Sequence, residues 1–281
     1  MSTFQVDCEL EYDVAAQTVF VFNIAVPDDR RQRVVEERVG LEPSLSWDEL
    51  REPGTLNRLI RVDVAPGPFR IRYLAAVDVI PVEADTQAAE VPITALPVDA
   101  FACLRGSRYC ESEAVFNLAC RLFGQMTPGF ARVDAICRWI RANIDYTIGT
   151  STPSYSARDV LALRAGVCRD FAHLGITFCR ALNIPARFVT GYARYAEPPP
   201  DFHAVFEAFL GDRWQLFDPT ELSPMRDLVR IGTGRDASEV PFATFFGAAR
   251  LRRLSALIEA KPEGAGLTRL QTPMSGILLA A

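Results

Sequence analysis

The chain changes its polarity rhythm once, near residue 97, and that change constrains the fold more than any other feature. In the first segment Phe4, Val6, Cys8, Leu10, Tyr12 and Val14 alternate with polar residues. A period of two belongs to a strand with one buried face. The runs TVFVFNIAV, RLIRVDV and FRIRYLAAVDV follow, the last two separated by APGP, whose Pro66 and Gly67 punctuate a turn. No helical spacing is legible before about residue 100. Residues 1–97 therefore read as an antiparallel β domain, a sandwich or a curled sheet, closed by a connection carrying Pro92 and Pro97.

Beyond Pro97 the spacing becomes helical. SEAVFNLACRLFG predicts a helix with Ser112 as N-cap and Gly124 as its stop. TPGFARVDAICRWIRANI predicts a second, opened by Thr127 and Pro128. SARDVLALR begins at Ser156 and carries Asp159 three residues on, a capping box. After Gly166, VCRDFAHLGITFCRAL continues helically to about Leu182, where Asn183 and Pro185 end it. That helix is apolar nearly all round, so it is expected at the centre of the fold. Strands return in ARFVTGYA, and DFHAVFEAFLGDRWQLFDPT reads as a hairpin about Gly211-Asp212. The chain is then loop-rich through GTGRDASEVP, with ARLRRLSALIEA as a final strand. The expected class is α+β, a β domain over 1–97 followed by a second domain over 98–281.

Composition narrows the function. The 281 residues carry a net charge of −5 with no run of like charge, which disfavours nucleic acid as a partner. No apolar stretch approaches the roughly 18 residues of a membrane span. The opening MSTFQVDCELEYDV lacks a signal-peptide layout, and seven cysteines in such a chain suggest reduced thiols and a cytoplasmic location. Two histidines, His173 and His203, and scattered cysteines provide no ligand cluster, so neither metal nor cofactor is expected. Nothing in the sequence reads out an oligomeric state.

The stretch RAGVCRDFAHLGITFC places Cys168 in the first turn of the apolar helix. Unpaired N–H groups and the macrodipole favour negative charge there, the setting in which thiols are activated. The alternative is a cysteine that merely packs. Gly166 would leave room for a substrate backbone. His173 lies five residues on, about 140° around the helix at about 100° per residue, and is expected to make a structural hydrogen bond. Cys179 is expected to pack in the core. His203 remains. If Gly211-Asp212 is a two-residue turn, residue 205 opposes 218, and His203 and Asp218 become diagonal neighbours on one face, roughly 7–8 Å apart. Pro219 holds Asp218 extended. A solvated sheet face would equally carry such a polar pair.

A nucleophile, a base and an orienting acid in the order Cys168, His203, Asp218 is the logic of acyl transfer. With GVCRDFAHL, NIPARFVTGYA, FHAVFEAFLGDRWQLFDPT, GRDASEVP and SRYCESE in order, the chain resembles the transglutaminase-like superfamily. It is most similar to the bacterial thiol (cysteine) protease branch, whose members carry an N-terminal β module. The resemblance implies a papain-like α+β catalytic core preceded by a β-sandwich-like domain. It also implies Cys168 as nucleophile, His203 as base and Asp218 as orienting acid, acting on a peptide or amide substrate. Two departures stand out: Val205 where the family has tryptophan, and Gly106 where proline is expected. The expected reaction is hydrolysis. The alternatives are a protein-glutamine transglutaminase using an amine acceptor, and a non-catalytic interaction module that retains the fold. The Cys168 N–H would supply one oxyanion donor, with Tyr146 and Tyr155 as candidates for a second.

Overall fold

The alternating N-terminal runs become strands of a sandwich. In a computed structural model, which describes residues 2–194, 201–262 and 264–270, these are β1 (Ser2–Val14), β2 (Thr18–Ala25), β3 (Gln32–Glu42), β4 (Trp47–Arg51), β5 (Arg58–Val64) and β6 (Gly67–Val79). Then come α1 (Phe116–Phe123), α2 (Phe130–Asn143), β7 (Asp145–Tyr146), α3 (Ala157–Leu163), β8 (Ala165–Gly166) and α4 (Cys168–Ala181). The chain continues as β9 (Ala186–Tyr192), β10 (Phe202–Leu210), β11 (Arg213–Phe217), β12 (Val229–Gly234), β13 (Ala243–Phe246) and β14 (Ala249–Ala260). The class is mixed α and β, as expected.

One sandwich sheet has the order β14-β1-β6-β3 and the other β13-β2-β5-β4. Both ends of the chain therefore build it: β14 runs antiparallel to β1 and β13 to β2. Phe4, Val6, Cys8, Leu10 and Tyr12 face inward and meet Phe20, Phe22, Ile60, Val62, Phe69 and Ile71. Phe20 and Phe22 stack with ring centroids 5.3 Å apart. Strands β3 and β4 escape the sequence reading because they are largely exposed edge strands, and in β3 a register shift between Val34 and Glu36 breaks the alternation of Val34 with Val39 and Leu41, which pack partly buried on the core.

The second unit is a sheet of order β11-β10-β9-β12 with helices packed on it. Leu210 pairs with Arg213 and Phe206 with Phe217, the register expected from a two-residue turn at Gly211-Asp212. Gly211 takes φ 65°, the left-handed conformation such a turn demands. Helix α4 lies centrally, and every residue from Asp170 to Ala181 is buried. Gly175 permits the approach of β10, since a Cβ there would stand 2.4 Å from the Phe206 ring. Helix starts shift from the expected caps. Ser112 opens a single 3₁₀ turn, Ser112–Val115, ahead of α1. Helix α2 begins after Gly129 at φ 110° rather than at Thr127 and Pro128. The capping box of Ser156 and Asp159 is present at α3.

The two units are tied along β12 and β10. The amide of Gln32 accepts from Arg230 N at 2.9 Å and donates to Arg230 O at 2.9 Å. Asn57 does the same for Thr233, at 2.9 and 3.0 Å. Each amide thus satisfies backbone groups of an edge strand, as a neighbouring strand would. At their centre Glu207 is fully buried and bridges to Arg187 at 2.8 Å, to Arg230, and at 3.7 Å to Arg31 of the sandwich. Burial alone would raise the Glu207 carboxyl; Arg230 and Arg187 more than reverse that and hold it below the usual carboxylate range.

Removing one partner of a buried ion pair leaves the other uncompensated. Glu207→Gln should therefore destabilise the protein by roughly 3–5 kcal/mol in urea unfolding. Because the folded-state value is depressed, the stabilisation is present above the ordinary carboxylate range and lost as pH falls through the folded value. An unchanged urea midpoint would contradict this.

Candidate active site

Cys168 is the first residue of α4, with Val167 extended before it as N-cap at φ −117° and ψ −177°. Its turn is shaped by Asp170, whose Oδ2 accepts the Val167 N–H at 2.9 Å. This carboxylate also explains Gly166. A Cβ at Gly166 would meet Asp170 Cβ at 2.8 Å and Oδ2 at 2.9 Å. The glycine makes room for an internal carboxylate, not for a substrate backbone as the sequence suggested. Cys168 itself remains half-buried, whereas Cys8, Cys103, Cys110, Cys137 and Cys179 are buried.

Strand β10 delivers His203 and the end of β11 delivers Asp218. His203 Nε2 lies 2.8 Å from Asp218 Oδ2, and both side chains are almost completely enclosed. Asp218 Oδ1 accepts from Thr220 N at 2.8 Å and from Thr220 Oγ1 at 2.7 Å. This local turn points the second oxygen at the ring. The Asp-Pro-Thr spacing at 218–220 is the only mark this turn leaves in the sequence. The Cys168 side chain is in polar contact with the same imidazole. With Nε2 engaged by the carboxylate, Nδ1 is the nitrogen left for the sulfur. Burial opposes charge on the ring; the Asp218 hydrogen bond and the Cys168 side chain outweigh it and raise His203 to about 10.

Tyr146 joins this group through a short parallel pairing, in which Asp145 lies beside Ala165 and Tyr146 beside Gly166. The phenol reaches both the backbone and the thiol of Cys168. Burial and then the nearby thiol raise it above the ordinary tyrosine range. Tyr155, the other candidate donor, belongs to a turn closed by Tyr155 N and Thr152 O at 3.1 Å.

His173 has a separate environment. Its Nε2 accepts from Ala237 N at 3.2 Å, and its ring stacks on Tyr109 at 5.0 Å. Burial first, then Arg169, lowers it to about 3. It belongs to a polar network behind α4 that joins the SRYC and GRDAS segments, where Asp236 Oδ2 accepts from Tyr109 N at 2.9 Å. Among the described residues, no group of three or more His, Cys, Asp or Glu is placed to hold a metal ion.

The chain as a whole has similar counterparts. Residues 117–219, which contain Tyr146, Cys168, His203 and Asp218, match the transglutaminase-like superfamily core, and residues 2–99 match the bacterial transglutaminase N-terminal domain. A crystal structure from Cytophaga hutchinsonii described as a "Putative Cysteine Protease" is 36% identical. It covers 96% of this chain and 94% of its own, with a TM-score of 0.88. The chain belongs to the transglutaminase-like superfamily. An uncharacterized protein of Mycobacterium leprae is 35% identical over 119 residues, 38% of this chain and 41% of its own. One of Mycobacterium tuberculosis is 34% identical over 146 residues, 46% of each chain. The matches span less than half of these mycobacterial proteins. In this member of the superfamily, Cys168 stands at a helix start and His203 on the facing hairpin.

The two histidines should differ in charge at neutral pH. His203 sits above the free-imidazole value of about 6.5 and His173 below it. The Asp218–His203 contribution to stability is complete below that free value and is lost as pH rises through about 10. Imidazole NMR at pH 7 should show one imidazolium and one neutral ring, and Asp218→Asn should move the His203 titration to lower pH. Two rings titrating together near 6.5 would contradict the geometry.

Proposed function

We propose that this protein is a thiol-dependent acyl-transfer enzyme, a cysteine protease or amidase that hydrolyses a peptide or amide bond. The observation that carries the reading is a single one. The His203 ring lies between the Asp218 carboxylate and the Cys168 thiol, at the N-terminus of a buried helix. The 36%-identical neighbour described as a "Putative Cysteine Protease" supports hydrolysis over transfer to an amine.

The steps follow from the positions. Cys168 as thiolate attacks the carbonyl carbon, and the carbonyl electrons move to oxygen. The Cys168 N–H and the Tyr146 phenol are the donors available to that oxyanion. His203, held as imidazolium, protonates the leaving amine as the C–N bond breaks. Water then attacks the thioester, His203 takes its proton, and the C–S bond breaks to release the acid. Asp218 fixes the ring and its tautomer throughout. All seven cysteines are free, which suits a reducing compartment, and we place the protein in the cytoplasm on that ground.

Iodoacetamide at neutral pH should label Cys168 well ahead of Cys120, the other half-buried thiol. Equal labelling of the two would favour an interaction module. In a peptide and amide library, Cys168→Ala should abolish turnover, a loss on the order of 10⁶-fold in kcat. Asp218→Asn should cost less and should lower the alkaline limb of kcat/KM, since it removes the hydrogen bond that holds the imidazolium. Tyr146→Phe should cost on the order of 10²–10³-fold in kcat. Wild-type turnover by Cys168→Ala would end the thiol mechanism. A product bearing an added amine in place of the free acid would assign transglutamination instead.

A further inference from the structure

We infer that Arg169 is a positioning residue for the proposed reaction: it clamps residues 147–152 onto the start of α4 and so holds Tyr146 against Cys168. The inference rests on the functional reading above, and it begins from an awkward feature of the helix start. Asp170 is fully buried two residues from the nucleophile. A buried carboxylate needs a compensating charge, and Arg169 supplies it, with Nε and Nη2 at 3.3 and 3.1 Å from Asp170 Oδ1.

The same Nη2 that faces Asp170 also reaches outward to one segment. Arg169 Nη2 donates to Ser151 Oγ at 2.6 Å and to Thr152 O at 2.7 Å. The guanidinium also lies over the Tyr109 ring at 5.7 Å, and the Tyr109 hydroxyl donates to Pro153 O at 2.8 Å. The segment so gripped is the continuation of β7. Immediately after Tyr146, Thr147 N donates to Gly166 O at 2.9 Å, and Thr150 Oγ1 donates back to Thr147 O at 2.7 Å. Between the two anchors stand Ile148, half exposed, and Gly149 at φ 82°.

The segment is thus pinned to α4 at both ends. Gly166, next to the N-cap, holds the first, and Arg169, one residue past the nucleophile, holds the second. Tyr146 is the residue whose orientation this fixes, because its phenol is the group that meets Cys168. A lysine at 169 keeps the charge beside Asp170 but lacks the planar fork that serves a carboxylate and two loop acceptors together. The clamp is therefore separable from the ion pair.

The test is a double-mutant cycle on a peptidyl aminomethylcoumarin amide cleaved in a Cys168-dependent way. Arg169→Lys should lower kcat about tenfold with KM nearly unchanged, and should leave the thermal midpoint and the iodoacetamide labelling rate of Cys168 at wild-type values. In the Tyr146→Phe background the same substitution should cost nothing more, because the residue it positions has lost its donor. Ser151→Ala removes one acceptor of the clamp without touching Asp170. It should give a smaller loss, about threefold, that also vanishes in the Tyr146→Phe background. Wild-type kcat in both single variants, or losses that multiply undiminished with Tyr146→Phe, would overturn the inference. Iodoacetamide labelling that fails to select Cys168 would instead overturn the thiol mechanism beneath it.

Discussion

Helix α4 is enclosed from Asp170 to its end, and a helix buried on all sides must satisfy its polar groups from inside the protein. Much of the surrounding architecture answers that demand. At the start, Asp170 takes the Val167 N–H and obliges residue 166 to be glycine. At the other end Arg180 donates to Ala186 O at 3.0 and 2.8 Å, to Arg105 O at 3.0 Å and to Arg235 O at 2.6 Å. One guanidinium thus binds carbonyls from three separate segments to the helix end. The motifs around residues 105 and 235 face one another because this helix needs both.

The same enclosure sets the electrostatics. Both histidines are buried, yet they are driven to opposite states. His173 meets a backbone N–H, aromatic faces and the charge of Arg169, so burial prevails and the ring stays neutral. His203 meets a carboxylate and a thiol, so the cation prevails despite burial. Desolvation is common to the two; the partner decides the sign. A neutral ring suits a fixed structural acceptor, and a charged one suits proton delivery to a leaving group.

The sandwich is coupled to this core by more than contact. Tyr192 of β9 donates its hydroxyl to Ile24 O of β2 at 2.7 Å, and Tyr192, Val229 and Ile231 share the sandwich's apolar core. Strands β9 and β10, which carry this interface at one end, carry Glu207 and His203 along their length. Gly232 allows the approach, since a Cβ there would stand 2.9 Å from Asn57 Oδ1. The histidine is therefore placed on a sheet anchored from both sides.

Local periodicity and turn chemistry were enough to determine much of this from sequence. The alternation in β1, the all-round apolarity of α4, the Ser156 capping box and the Gly211-Asp212 turn each act within a few residues. The turn set the hairpin register, and the register put Asp218 within reach of His203. Only the tertiary structure decided that β13 and β14 return to the first domain's sheets, and that β12 follows the hairpin as an edge strand. It alone placed the Tyr146 phenol at Cys168 and filled the space beside Gly166 with Asp170. Such features join distant segments, or depend on which way a side chain curls, and neither leaves a periodic mark along the chain. A strand's rhythm reports that one face is buried; which partner buries it is settled by packing.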